Sequence, residues 1–133
     1  MENEKKIKVV LLEPGKLARA VEIDASLAGM QKTVDGLIEP FYPFEEQVCI
    51  VCNEESKING MRPNRSVKND DGVMVDFIFG PAFICDCRGE NLDSLSDEQI
   101  NRYGKMFRYP EHLARLNGKL IGIPLNPQRE HER

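Results

Sequence analysis

The sequence predicts an α+β fold: a mostly antiparallel sheet with two main helices packed on one face. Three observations lead there. Short apolar and β-branched runs are punctuated by turn dipeptides such as Pro14-Gly15 and Gly80-Pro81. Two segments combine a capping residue, an apolar stripe at helical spacing and a stop signal. The 133 residues are 41% hydrophobic and 30% charged, enough apolar material for one core. Residues 1–125 therefore read as a single α+β domain and 126–133 as a charged C-terminal tail.

Ile7 to Leu12 is β-branched and apolar, and Pro14-Gly15 stops it with a turn. Ala18 to Ile23 suits a second strand, so the pair reads as a hairpin joined by Glu13-Pro14-Gly15-Lys16. A helix follows, capped by Asp24 or Ser26, with Leu27, Met30 and Val34 on one face. Gly36 lies just past the last periodic residue, where a left-handed stop costs glycine nothing. Leu37 to Phe44 is aromatic and extended, but Pro40 and Pro43 remove backbone donors, which suits an edge strand or a bent segment. Val48 to Cys52 is a continuous apolar run and predicts a buried strand.

From Asn53 to Gly72 the chain turns polar and irregular. Val73 to Ile84 is apolar again, with Gly80-Pro81 as a bend between two strand halves. Ser96-Asp97-Glu98-Gln99 matches a capping box, in which Ser and Gln side chains satisfy each other's backbone donors. Ile100, Tyr103 and Phe107 form that helix's apolar stripe, and Pro110 limits it. Arg102, Lys105 and Arg108 run toward its C-terminal end, where the helix dipole favours cations. Glu111 to Leu116 reads as a further short helix ended by Asn117-Gly118, and Lys119 to Leu125 as extended.

Lys+Arg 18 against Asp+Glu 22 gives a net charge of −4. Sequence-independent nucleic-acid binding draws on neutralised phosphates, so an acidic chain argues against that class of partner. The charged start, Met1 to Lys6, precedes only a short apolar run, and no apolar stretch approaches the roughly 20 residues that span a bilayer. A cytoplasmic protein with reduced thiols and no membrane partner is expected. Homo-oligomer formation stays open.

Cys49 and Cys52 form C-x-x-C, and Cys85 and Cys87 form C-x-C. Four thiolates suit zinc. In an extended apolar strand, however, positions three apart point to opposite faces, so these cysteines read as core fillers with no metal. No cofactor is expected. His112 and His131 have no nucleophile near them in sequence, and hydrolase, metalloprotease and deaminase motifs are absent. Glu39, Glu54 and Asp76 could form a carboxylate metal site for hydrolysis, the weaker alternative.

The segment from Cys52 to Arg65 is the most informative. It places Asn53, Glu54, Lys57, Asn64 and Arg65 directly after a buried strand. Side-chain amides with ammonium and guanidinium groups suit nucleobase edges, ribose hydroxyls and phosphates. Asp76 can orient one of the bases. Gly15 and Lys16 add a glycine turn followed by a cation, which can present an amide and an ammonium to a phosphate without being a Walker loop.

The order Glu13-Pro14-Gly15-Lys16, Ile38-Glu39-Pro40, Cys52-Asn53-Glu54-Glu55 with Lys57, Asn64-Arg65, Asp76, Gly80 and Leu95 to Gln99 resembles the family called domain of unknown function 3846, over about residues 7 to 109. The resemblance implies a setting in bacteria, phages and conjugative or plasmid elements and no named activity. It also points to the Asn-Glu and Asn-Arg motifs as the place to look for a site.

The expected function is non-catalytic binding of a small anionic ligand, a nucleotide above all. A phage-borne protein could use it to sequester a host signalling nucleotide. Gly15, Lys16, Asn53, Glu54, Lys57, Asn64, Arg65 and Asp76 would meet over one cavity. The other readings are a module that inhibits a host protein, through the edge-like segment Leu37 to Phe44, and a metal-dependent nucleotide hydrolase.

Overall fold

The computed structural model describes residues 5–127. Most of the expected charged tail, residues 128–133, lies outside them. Apolar runs and turn signals convert directly into the first elements. β1 (Lys6–Leu12) and β2 (Arg19–Asp24) pair antiparallel, with Leu11 opposite Arg19 and Ile7 opposite Ile23. α1 (Leu27–Val34) is capped by Ser26, whose side chain accepts a hydrogen bond from the Gly29 amide. Met30 and Val34 are buried, whereas Leu27 is 58% exposed and does not join the stripe. The left-handed residue ending α1 is Asp35, not Gly36; its φ is 63°.

β3 (Ile38–Phe41) is an edge strand, which suits Pro40 within it, and pairs with β4 (Val48–Asn53). The polar stretch after β4 is not wholly irregular. It contains β5 (Pro63–Lys68), which pairs with β6 (Met74–Phe79) through two register shifts. β7 (Ala82–Asp86) follows the bend at Gly80-Pro81, but β6 and β7 belong to different sheets.

The capping box at Ser96 and Gln99 is formed and opens α2 (Asp97–Met106). Glu111 to Leu116 is not a helix. It is β8 (Glu111–Leu116), paired with β9 (Lys119–Pro124). Asn117 and Gly118 both take positive φ, 51° and 82°, as a two-residue hairpin loop demands. The dipeptide that can stop a helix here closes a hairpin.

The main sheet has strand order β2-β1-β7-β4-β3 with antiparallel neighbours throughout. This bears out the α+β class. The shared helix face is corrected: α1 and α2 cover opposite faces. Ile7, Val9, Leu11, Cys49, Val51, Phe83 and Cys85 point to the side holding Met30 and Val34 of α1. Val10, Leu12, Val48, Ile50 and Ile84 point to the side holding Tyr103 and Phe107, together with Val67 and Ile78 of β5 and β6.

The physical reason lies in the central strands, which are apolar at consecutive positions. A sheet covered on one face alone alternates apolar with polar. Phe83 and Tyr103 are almost wholly buried from opposite sides, each contributing roughly 1.5–3 kcal/mol. Among the described residues no helix is long and apolar enough to cross a membrane.

Candidate functional site

The sequence-predicted site residues separate into three environments. The first is internal. Asn53, at the end of β4, is buried and turns its amide toward the close of α1. Its Nδ2 donates to the carbonyls of Asp35 at 2.9 Å and Val34 at 3.3 Å, and its Oδ1 accepts from the Glu55 amide. The open carbonyls at a helix end need such donors. A Cβ on Gly36 would come within 2.4 Å of Asn53 Nδ2, so the glycine is what lets the amide reach them.

Asn64 and Arg65 are also buried. Asn64 Nδ2 donates to the carbonyls of Gly80 at 2.8 Å and Leu12 at 3.0 Å. Arg65 is 1% exposed, and its guanidinium donates to the carbonyls of Lys16, Tyr109 and Glu13 and to Asn64 Oδ1. Burial pulls the Arg65 group down to about 10, which leaves it charged at neutral pH. These donors hold the chain together.

The second environment is a cleft of about 260 Å³ between the β3–β4 end of the sheet and β6. Glu54, Lys57 and Asp76 line it together with Glu39, and Asn53 borders it as well. Lys57 Nζ lies 2.8 Å from Asp76 Oδ1, so Asp76 does orient a base, as its place in the sequence suggests. Three carboxylates against one ammonium make the cleft acidic. Cys52 on its wall reports this: burial first, then Glu39 and Asp76, push the thiol up to about 11. An anion meets repulsion here. Glu39, Glu54 and Asp76 share the lining, yet among the described residues no three His, Cys, Asp or Glu side chains are arranged to hold a metal.

The third environment is the tip of the β1–β2 hairpin. Gly15, with φ 77°, lies against the guanidinium of Arg62. The hairpin tip and the Arg62–Arg65 end of the polar segment therefore do meet, while Asn53, Glu54 and Lys57 line up elsewhere. Glu13 bridges Arg19 at 3.1 Å and reaches Lys16 at 3.9 Å. Beside the tip, the Ala18 amide donates to the Arg108 carbonyl at 2.9 Å, which seats β2 against the end of α2.

A groove of about 330 Å³ opens there, lined by Arg19, Lys105 and Arg108 over Leu17, Ala18 and Ile100, with no carboxylate among its lining residues. Arg102, on the same helix, is not free to join. Its guanidinium is held by Glu98 and Glu46. The basic run on α2 was legible in the sequence, but Arg19 was not: nothing local signals that β2 faces α2.

Cys49 and Cys85 sit apart from all three environments. Cys49 and Cys85 are cross-strand partners with sulfurs 3.8 Å apart, buried beneath α1. The contact with Cys49, reinforced by burial, holds the Cys85 thiol far above its usual range. No curated protein and no solved structure matches this chain. Its sequence does match a family over residues 7–108, a span that takes in the main sheet, both helices and the β5–β6 hairpin and stops short of β8 and β9. The chain belongs to the family described as domain of unknown function (DUF3846).

Proposed function

We propose that this protein binds a small phosphate-bearing anion of the nucleotide class in the groove between β2 and α2. A single observation carries the reading: Lys105 and Arg108 line one groove with Arg19, whose guanidinium is shared with Glu13 at 3.1 Å, and no carboxylate lines the groove itself, in a chain whose net charge is −4. The α2 dipole accounts for cations near its own C-terminal end. It does not account for Arg19, which comes from β2 on the other side.

The apolar floor of Leu17, Ala18 and Ile100 suits the flat face of a base or the carbon skeleton of a sugar, and about 330 Å³ is within the size of small-ligand sites. Binding alone needs no catalytic group, so sequestration is the form of this function that the groove serves.

Calorimetry and thermal-shift measurements with cyclic and linear nucleotides, pyrophosphate and inorganic phosphate test the reading. Saturable binding that weakens with salt is expected, and Lys105→Ala with Arg108→Ala should reduce affinity roughly tenfold or more. No binding by any of these anions near millimolar concentration would overturn it.

A further inference from the structure

We propose that a second site, the cleft between β6 and the β8–β9 hairpin, binds a small organic cation with an apolar, aromatic-sized body. This goes beyond the anion groove and uses none of its residues. The main chamber holds about 460 Å³ and is walled by Met61, Met74, Phe77, Phe79, Leu113 and Leu120. The last two belong to the hairpin beyond residue 108, where the family match ends. The hairpin therefore supplies one wall of a partly open cavity along β6.

That hairpin is anchored. Glu111 Oε1 accepts from the Ser66 amide of β5 at 2.8 Å. A Cβ at Gly122 would fall 1.9 Å from Glu111 Oε1 and 3.3 Å from the Phe77 ring, so glycine allows the close approach.

Charge selects the ligand. Lys57, Asp76, Phe77 and Phe79 line both this chamber and the acidic cleft of about 260 Å³. The two spaces meet at the Lys57–Asp76 pair. Lys57 is neutralised by Asp76, while Glu39 and Glu54 take part in no ion pair among the described residues. A cation lodged at the junction turns its charge toward the cleft that Glu39 and Glu54 line and keeps its body among the thioethers and rings. Phe77 and Phe79, tilted at 51° with centroids 5.7 Å apart, put aromatic rings in the wall, and ring faces attract an ammonium. A carboxylate of the same shape would meet like charge.

Three probes with one body and different heads test this on the full chain: naphthylmethylamine, naphthalenemethanol and naphthoate, titrated by calorimetry and by methyl shifts of Leu113 and Leu120. The amine should bind saturably and shift those methyls, with naphthoate roughly tenfold weaker or worse. Glu39→Gln with Glu54→Gln, both at exposed positions, should weaken the amine roughly three- to tenfold and leave the alcohol unchanged. Any of three results overturns the proposal: no saturable amine binding, equal affinity for amine and naphthoate, or an amine affinity untouched by the double substitution.

Discussion

Arg65 Nη2 donates to the backbone carbonyl of Lys16 at 2.7 Å, across 49 residues of chain. The same guanidinium reaches the carbonyls of Glu13 and Tyr109, so one buried fork ties β5 to the hairpin tip and to the segment after α2. This fork and the Ala18–Arg108 bond set β2 beside the end of α2, where Arg19 faces Lys105 and Arg108. A residue whose type suits phosphate recognition here builds the surface on which other cations converge.

Arg65→Lys should therefore destabilise the fold. Lysine keeps the charge but not the planar fork, and buried carbonyls lose their donors. A loss of about 2–3 kcal/mol is expected in urea unfolding, with the slope unchanged. A loss below about 0.5 kcal/mol would mean that those carbonyls find other donors.

Asn53→Asp tests the second internal bracket. It would set a carboxylate oxygen against the carbonyls of Val34 and Asp35 in place of a donor. A loss of about 2 kcal/mol or more follows, and amide exchange should quicken first in the last turn of α1. Gly36→Ala should act at the same place, because the new methyl displaces the Asn53 amide.

Glu46 gives an acid limb to the stability. Its carboxylate accepts from Arg102, Tyr103 and Gln99, and these bonds, led by Arg102, lower its pKa from 4.5 to about 2. A carboxyl depressed in the folded state stabilises fully above its unfolded pKa and loses that stabilisation as pH falls through the folded one. Melting temperature should thus fall between about pH 4.5 and about pH 2, and Glu46→Gln should flatten this limb. A limb unchanged in Glu46→Gln would assign it to other carboxylates.

The thiols should be slow to react. Cys49 and Cys85 are fully buried, and burial, the leading cause in each case, pushes Cys52 and Cys87 up to about 11. Ellman's reagent at neutral pH should label the folded chain slowly and all 4 cysteines promptly in denaturant. Prompt labelling of Cys49 or Cys85 in the native protein would contradict the packing under α1.

Local signals carried over where the chemistry is local. Ser96 and Gln99 cap α2 through side chains three residues apart, and Pro14-Gly15 turns the first hairpin. The unbroken apolar runs of β1, β4 and β7 already implied burial on two faces. A placement of both helices on one face left half of those side chains uncovered. Asn117-Gly118 was ambiguous by nature, since a left-handed pair can end a helix or close a hairpin. Glu111-His112-Leu113-Ala114-Arg115-Leu116 shows no alternation that would settle which.

The sequence by itself determined the α+β class, the limit of the proline-bearing segment to an edge or a bend, the capped helices and the family. Tertiary structure decided what the polar side chains do. Asn53, Asn64 and Arg65 have the donors of a ligand site, but a donor serves whichever acceptor the fold brings within about 3 Å. Here these are backbone carbonyls up to 52 residues away in sequence. Whether a cation faces solvent, a carboxylate or another cation depends on contacts between distant strands and helices, which no local pattern encodes.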